Sequence, residues 1–432
     1  MTTDQERLPG WKIQELHRLR RRRRLRIISL LLGGGIVLYH LVSPDWWGLL
    51  DWSGSDYLQL EWSIRRSAIG AWHLEGDFLY TVGRGLRVYD TRSGAIQRTA
   101  TLDRHYVERT AGIISRDLVV TPTNLCWGWY NFRPETGIIN CFDRATFQKK
   151  WQREISWDSK PGEPSIFLAP HNKSLFVATS NNGAENLFKL DSETGQVQWA
   201  KTIKPYILSL SLIVRDDFVA ILSADTMDSY GYAVLRGFQA HTGKEIWSLR
   251  LPASWIYSQR TPLVIGNFAY ITAPGYGDSP DHLFHIDIVR GRLLWDARAS
   301  RIDAPFLYDD HLLYFGGQRP AAYDPRNQKL QWQADLDSWG DFVSSVIAEG
   351  TADVKRGELY IGDMGKYLFL LSKDTGRIKT AVNVRRYFRG DFLRPAKAFL
   401  GDYGVKKLVF RNDRIYVGTV DGSLFVFRRT GE

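Results

Sequence analysis

Cysteine and the short motifs of common enzymes are scarce in this chain. Its 432 residues include two cysteines and nine histidines, and two cysteines without a histidine at ligand spacing do not form a metal site. The haem-attachment pattern C-x-x-C-H, the G-x-S-x-G elbow, the Walker A loop and H-E-x-x-H are all absent. The sequence therefore offers no catalytic residue, no metal ligand and no cofactor site, and we expect a binding protein rather than an enzyme.

Positive charge is concentrated at the N-terminus. Residues 1–44 carry nine Lys or Arg and three Asp or Glu, a net charge of +6 out of the +10 of the whole chain. Seven of these basic residues are arginines within residues 18–26. The basic character of the protein is thus mainly a property of this segment, where it can attract anionic lipid. It does not indicate nucleic acid as a partner.

An apolar segment, Ile27–Val42, follows the arginines. Its 16 residues are short of the roughly 20 needed to cross a bilayer, but Trp46 and Trp47 can extend it at the interface. A cleaved signal peptide is the competing interpretation, although no small-x-small cleavage site follows Val42. We expect a basic cytoplasmic tail (residues 1–26) and a transmembrane signal anchor with its linker (residues 27–50). The positive-inside rule then places the rest of the chain beyond the membrane.

A nine-residue phrase, D-x-x-[TS]-G-x-x-x-W, recurs along most of the remaining chain. The clearest copy runs from Asp191 to Trp199, and looser copies keep the spacing. The tryptophan position falls at residues 98, 151, 199, 247, 295, 332 and 380, so four of the six steps are 48 residues. Each unit contains apolar runs of strand length separated by polar turns, which predicts four antiparallel strands per unit. Such a repeat is typical of β-propeller blades.

The two ends of the repeated region predict how the ring closes. The last unit, which begins near Ile415, stops before its outer strand, and the segment around Trp62 has the form of that strand. Closing the ring removes unpaired sheet edges. We therefore predict an all-β fold, an eight-bladed propeller over residues 58–432, with seven blades as the alternative. The tryptophans suit the wedges between blades, and we assign a structural blade-docking role to Trp62, Trp151, Trp199, Trp247, Trp295 and Trp332.

This phrase resembles the tryptophan-docking repeat of the pyrroloquinoline-quinone (PQQ) propeller family. In size and lack of added domains, the chain is similar to the non-enzymatic, BamB-like members. The resemblance implies that the enzymes of the family bind PQQ beneath a disulfide between adjacent cysteines, and no such pair occurs here. It therefore favours a protein without PQQ, and a PQQ- or small-ligand-dependent oxidoreductase or sensor using the propeller axis remains the alternative.

The two cysteines, Cys126 and Cys141, flank an aromatic segment of the second unit. If they face each other across a hairpin, a disulfide is possible in an oxidising compartment. Two buried free thiols are the competing interpretation.

Two departures from the repeat are candidates for partner binding, because insertions in a propeller map to its faces. The first lies in residues 384–407, and the second is the cysteine-flanked segment. Interleaved arginine and aromatic residues are favoured in interface cores. The contact residues we select are Arg385, Arg386, Tyr387, Phe388 and Arg389, followed by Trp127 and Trp129. We expect a membrane-tethered, non-catalytic scaffold in the cytoplasmic-type membrane, single-pass, with its propeller periplasmic or lumenal and envelope or membrane proteins as partners.

Overall fold

The chain forms an eight-bladed β-propeller in which every blade is a four-stranded antiparallel sheet. The structure is a computed structural model. It describes residues 57–64, 71–83, 85–102, 118–132, 135–156, 165–181, 184–203, 211–224, 232–254, 262–273, 281–299, 305–316, 319–336, 350–362, 367–384, 405–419 and 422–430. The prediction of eight blades is confirmed for this part of the chain, and seven is excluded. No helix in it is long and apolar enough to cross a membrane, and residues 1–50, which carry the predicted tail and anchor, lie outside it.

Blades 1 to 4 follow one another along the chain, and their strands pair in chain order. Blade 1 contains β2 (Ala71–Glu75), β3 (Phe78–Val82), β4 (Gly85–Asp90) and β5 (Ile96–Thr101). Blade 2 contains β6 (Val119–Val120), β7 (Asn124–Phe132), β8 (Glu135–Asp143) and β9 (Lys149–Ser156). Blade 3 contains β10 (Ser165–His171), β11 (Ser174–Asn181), β12 (Ala184–Asp191) and β13 (Val197–Ile203). Blade 4 contains β14 (Ser211–Val214), β15 (Phe218–Ala224), β16 (Tyr232–Gln239) and β17 (Glu245–Ser254).

Blades 5 to 7 repeat this order, and blade 8 combines both ends of the propeller. Blade 5 contains β18 (Leu263–Ile265), β19 (Phe268–Ala273), β20 (Asp281–Asp287) and β21 (Arg292–Ala299). Blade 6 contains β22 (Pro305–Asp309), β23 (Leu312–Phe315), β24 (Ala321–Asp324) and β25 (Lys329–Gln333). Blade 7 contains β26 (Gly350–Asp353), β27 (Glu358–Gly362), β28 (Tyr367–Ser372) and β29 (Ile378–Asn383). Blade 8 contains β30 (Val405–Arg411), β31 (Arg414–Thr419), β32 (Leu424–Arg429) and β1 (Leu58–Ile64).

The apolar core is divided among the junctions between blades. Side chains alternate between the two faces of a strand, so each blade presents one apolar face to each neighbour. Buried clusters accordingly join successive blades, such as Ala220, Leu235, Ile271 and Phe284 of blades 4 and 5. The first strands of successive blades also contact each other, as β2 does β6 and β10 does β14. These strands therefore lie innermost, and the fourth strand of each blade forms the outer rim.

The predicted ring closure is confirmed by the pairing of β1 with β32, in which Leu58 faces Arg429 and Trp62 faces Val426. Side chains add to it, since Arg414 binds both carboxylate oxygens of Glu61, with Nε 2.6 Å and Nη2 3.2 Å away. Because β1 is the outermost strand of blade 8, the N-terminal end of the propeller covers an edge that would otherwise be unpaired.

A buried ion pair joins blade 8 to blade 7. Arg429 binds Glu358 through Nε (3.0 Å) and Nη2 (2.8 Å), and both side chains are 2% exposed. Burial raises the pKa of Glu358, but hydrogen bonds from Arg429, Lys379 and Tyr360 outweigh this effect and bring that pKa to about 2. The carboxylate therefore stays charged at neutral pH, and the loss of either partner would leave a buried charge uncompensated, which costs about 3–5 kcal/mol.

Deleting residues 58–64 should lower the melting temperature far more than removing residues 1–50. The first deletion exposes the edge of β32 and removes both Leu58 from the core and the partner of Arg414. The second deletion leaves every described strand intact. Thermal unfolding followed by circular dichroism measures the difference, and equal melting temperatures would show that β1 does not close the ring.

Candidate functional site

The recurring phrase forms the tight turn between the third and fourth strands of a blade. In blade 3, Asp191 Oδ1 accepts hydrogen bonds from the backbone N–H of Glu193 (2.9 Å) and Thr194 (2.8 Å) and from the Thr194 hydroxyl (3.0 Å). Gly195 then adopts a φ of +69°, which glycine reaches without steric cost. In blade 1, Ser93 makes the same contacts to Asp90, and the bond from its backbone N–H lowers the pKa of that carboxyl. These carboxylates shape the turns.

Three of these turns receive from the preceding blade a tryptophan that both packs on the glycine and donates a hydrogen bond to the turn. Trp151 of blade 2 lies so close over Gly195 that a Cβ added there would be 2.6 Å from its ring, and its Nε1 donates to the Ser192 carbonyl (3.0 Å). Trp199 makes the same contacts with Gly243 and Ala240 of blade 4. Trp332 repeats them on blade 7, with Gly376 and Lys373.

Two further tryptophans dock by ring contact alone. Trp62 packs on Gly94, and Trp247 packs on Gly291, with added Cβ atoms again within 3.0 Å of the rings. Neither indole N–H has an acceptor among the described residues. The structure therefore brings these five of the six selected tryptophans against a glycine turn of the next blade.

Trp295, the sixth tryptophan, has no glycine to meet, because Gln328 occupies that turn position with a φ of +56°. Its ring lies instead in an aromatic cluster at the junction of blades 5 and 6, 5.1 Å from His285 and 6.3 Å from Tyr323. The His285 ring stacks on Tyr270 at 4.6 Å, and neither of its buried nitrogens has a partner among the described residues. Burial lowers the pKa of His285, and the nearby Asp287 partly opposes this shift.

At the junction of blades 1 and 2, both the tryptophan and the glycine of the phrase are replaced. Arg98 stands at the tryptophan position and Phe147 at the glycine position, where the phenylalanine keeps a positive φ of +61°. The Arg98 guanidinium lies 5.6 Å from the centre of the Phe147 ring, and it donates to the Ala145 carbonyl. A cation on an aromatic ring thus takes the place of the indole on glycine. The sequence shows both substitutions, but only the structure shows that they meet.

The two cysteines face each other across β7 and β8, with their Cα atoms 4.2 Å apart, and form a disulfide. Both are buried, and Cys141 pairs with Trp151 on the next strand. They lie with Trp151, Ile166 and Val177 in the cluster between blades 2 and 3. The disulfide interpretation agrees with this structure, and Cys141 is the cross-strand neighbour of a docking tryptophan, Trp151.

The predicted partner-contact residues are not brought together in the described structure. Trp127 and Trp129 are only 3% and 6% exposed and lie in the cluster between blades 1 and 2, where Trp127 stacks on Phe142 at 5.0 Å. They therefore present little surface to a partner, because the long hairpin that contains them is part of the blade rather than an insertion. The five residues Arg385–Arg389 lie outside the described residues.

Within the described part of the chain, no group of three or more His, Cys, Asp or Glu side chains is arranged to hold a metal ion. A polar cluster lies between blades 2 and 3. There, Glu193 accepts hydrogen bonds from Thr123 (2.7 Å), Asn124 (2.8 Å) and Lys150 (2.6 Å). It couples a turn of one blade to its neighbour, as the docking tryptophans do.

The fold and turn geometry define a tryptophan-docked, eight-bladed propeller. Residues 214–338 match the family model described as "Outer membrane protein assembly factor BamB". Blades 4 to 6, which lie almost entirely within these residues, are accordingly similar to PQQ-type, BamB-like propeller repeats. No curated protein sequence matches the chain.

Solved structures of several propellers are similar in fold. BamB from Moraxella catarrhalis is 14% identical with a TM-score of 0.59, and the match covers 86% of this chain and 99% of that protein. The computationally designed Ika8 protein is 15% identical, with a TM-score of 0.59 and coverages of 86% and 99%. A quinohemoprotein alcohol dehydrogenase from Comamonas testosteroni is 12% identical, with a TM-score of 0.59 and coverages of 87% and 77%. At these identities the likeness concerns the fold alone.

Gly243→Ala should destabilise the protein by about 1–3 kcal/mol more than Gly266→Ala. Both glycines have positive φ values, so alanine is strained at either position. At Gly243 the new Cβ would also meet the Trp199 ring at 2.7 Å, whereas at Gly266 it meets nothing within 4 Å, and overpacking carries a cost of that size. Urea unfolding of both variants measures this difference, and equal losses would show that the indole does not press on the turn.

Acid should weaken the protein in a way that His285→Phe reduces. Because the pKa of His285 is lowered in the folded state, the unfolded chain takes up a proton first as pH falls below about 6.5. The stability contribution is complete above that pH and is lost as pH drops towards the folded pKa. Urea unfolding between pH 8 and 5 should show a shallower loss in His285→Phe. His241→Gln, a change at an exposed turn residue, is the control and should keep the wild-type slope.

Proposed function

We propose that this chain is a membrane-tethered, non-catalytic propeller that acts as a protein-interaction scaffold on the extracytoplasmic side of a cytoplasmic-type membrane. The observation that supports the proposal is that the carboxylates described above bind groups of the propeller itself. The turn carboxylates bind their own backbone, Glu193 couples two blades, and Glu358 is neutralised by Arg429. The match of residues 214–338 to the BamB family model favours the same role.

The tether is proposed from the N-terminal sequence. Seven arginines within residues 18–26 precede the apolar segment Ile27–Val42, and this order is typical of a signal anchor with its N-terminus in the cytoplasm. A disulfide in blade 2 suits a propeller in an oxidising compartment. The partners we propose are other envelope or membrane proteins, because the propeller would face them from its anchor.

A PQQ-dependent oxidoreductase is the alternative, and the residues of this chain do not fit the cofactor. The enzymes of the family that it resembles cover PQQ with a disulfide between adjacent cysteines. Here the cysteines are separated by 15 positions, and their disulfide is buried between blades 2 and 3. The likeness to quinohemoprotein alcohol dehydrogenase concerns the propeller scaffold, which many functions share.

The test of this function is charge reversal at the proposed contact residues. In the full-length membrane-bound protein, Arg385→Glu, Arg386→Glu and Arg389→Glu combined should release co-purifying envelope proteins without changing the melting temperature, because the proposal assigns these arginines to a partner and not to the propeller core. Arg92→Glu, Lys201→Glu and Arg377→Glu combined change the charge equally at exposed positions and should retain those partners.

Two kinds of result would contradict the proposal, one about the activity and one about the tether. Stoichiometric PQQ in the purified protein, or alcohol-dependent dye reduction, would favour the enzyme. A reporter fused after Glu432 that is active in the cytoplasm, or a soluble mature protein that begins near residue 45, would exclude the tether.

A further inference from the structure

Every blade has a β-bulge at the same place in its outer strand. The register between the third and fourth strands shifts just before the tryptophan position, as between Lys189–Trp199 and Leu190–Val197 in blade 3. The same shift occurs in the other seven blades. A bulge leaves one residue outside the ladder and re-aims its side chain. The propeller therefore presents one bulged side chain per blade at its outer rim.

Two neighbouring blades depart from the side-chain chemistry of this position. In six blades the bulged residue is polar, namely Glu61, Gln97, Lys150, Gln198, Gln331 and Lys379. In blade 4 it is Ile246, which is 49% exposed, and in blade 5 it is Leu294, which is 41% exposed. The repeat acts as its own control, because the same backbone geometry accommodates a polar residue in the other six blades. The fold therefore does not require an aliphatic side chain at either place.

A third exposed aliphatic residue, Val289, adds to the surface of blade 5. It is 45% exposed, in the turn that packs on Trp247 of blade 4. The corresponding turn positions of blades 3, 6 and 7 carry charged side chains, Glu193, Arg326 and Asp374. The outer strands of blades 4 and 5, β17 and β21, also contact each other. Ile246, Val289 and Leu294 thus occupy adjoining parts of the rim, and we call these three residues the rim patch.

Basic side chains lie on or beside the two outer strands that carry Ile246 and Leu294. Exposed Lys244 precedes β17, and exposed Arg292 and Arg298 lie on β21. Arg250 of β17 is also exposed but stacks on Tyr232, 3.7 Å from the centre of that ring. The two acidic residues of these strands already have partners, since Glu245 is 3.7 Å from Arg236 and Asp296 is 3.0 Å from His282. The positive excess indicates the charge of an occupant, because partners present complementary potentials at an interface.

We infer that the rim patch binds an acidic segment of a partner protein, in which aliphatic or aromatic side chains contact Ile246 and Leu294 while neighbouring carboxylates contact the arginines of these strands. The inference rests on the proposed interaction role, but it concerns blades 4 and 5 and does not involve Arg385–Arg389. Exposed apolar side chains within a charged surround are typical of protein interaction sites.

The test is a selection of random twelve-residue peptides displayed on phage against the full-length protein in lipid nanodiscs. Counter-selection uses Ile246→Gln with Leu294→Gln, which installs the residue that blades 1, 3 and 6 carry at the bulge. Peptides that combine Asp or Glu with Leu, Ile or Phe should be enriched. Their affinity should fall at least about tenfold in this double variant, because two apolar contacts are lost. It should also fall with rising salt.

Matched variants separate binding from stability. Arg292→Glu with Arg298→Glu should weaken the selected acidic peptides, whereas Gln198→Ala, at the same bulge in blade 3, should have no effect. The melting temperature of each variant should stay at the wild-type value.

Three results would overturn the inference. The first is the absence of peptides that discriminate wild type from the double glutamine variant, and the second is enrichment of peptides without acidic residues. The third is self-association of the wild type, but not of the double variant, in sedimentation velocity, since the occupant would then be a second copy of this chain. Any of these would leave the Arg385–Arg389 test unaffected, so failure here is distinguishable from failure of the proposed function.

Discussion

The contact between an indole ring and a glycine turn of the next blade is the interaction on which this propeller depends. Each blade has two apolar faces and cannot bury both alone, so stability resides in the junctions. Trp151, Trp199 and Trp332 fill their junctions with a large apolar ring and donate one hydrogen bond to the facing turn. Glycine is needed beneath an indole because a Cβ there would meet the ring, and it also adopts the positive φ of the turn without strain. Phe147 and Gln328 adopt that φ at turns without such an indole contact. The clearest copy of the phrase, in blade 3, therefore contributes to two junctions. Its glycine turn receives Trp151 of the preceding blade, and its own Trp199 packs on the turn of the next blade.

Where this pair is lost, another interaction takes its place at the same junction. Arg98 on Phe147 keeps an aromatic contact between blades 1 and 2. Trp295 enters an aromatic cluster with His285 and Tyr323 between blades 5 and 6. The junction of blades 5 and 6 therefore contains the His285 imidazole, and burial lowers its pKa. These two junctions, which lack the tryptophan–glycine pair, are thus still filled by side chains that contact each other.

The sequence predicts the fold well because its signals are local and repeated. The spacing of the tryptophans, the T-G turns and the strand-like form of residues 58–64 were sufficient to predict eight blades and ring closure. It could not reveal Glu358 with Arg429, which are far apart in the chain and lie together only in the folded ring. It also suggested surface roles for Trp127 and Trp129, because aromatic residues near a long hairpin look the same whether they face a partner or a neighbouring blade.

Functional residues are hard to recognise in a repeat protein, because a residue that departs from the repeat consensus can still have a structural role. The repeat itself supplies a criterion, since equivalent positions share a backbone and differ only in what surrounds them. Arg98 and Phe147 depart from the consensus but satisfy each other within a junction, so their departure is explained by packing. Ile246 and Leu294 depart from it at bulges where they are 49% and 41% exposed and where six other blades carry polar residues. A departure that leaves an aliphatic side chain exposed, where the fold accepts a polar one, is the kind that we connect with a partner.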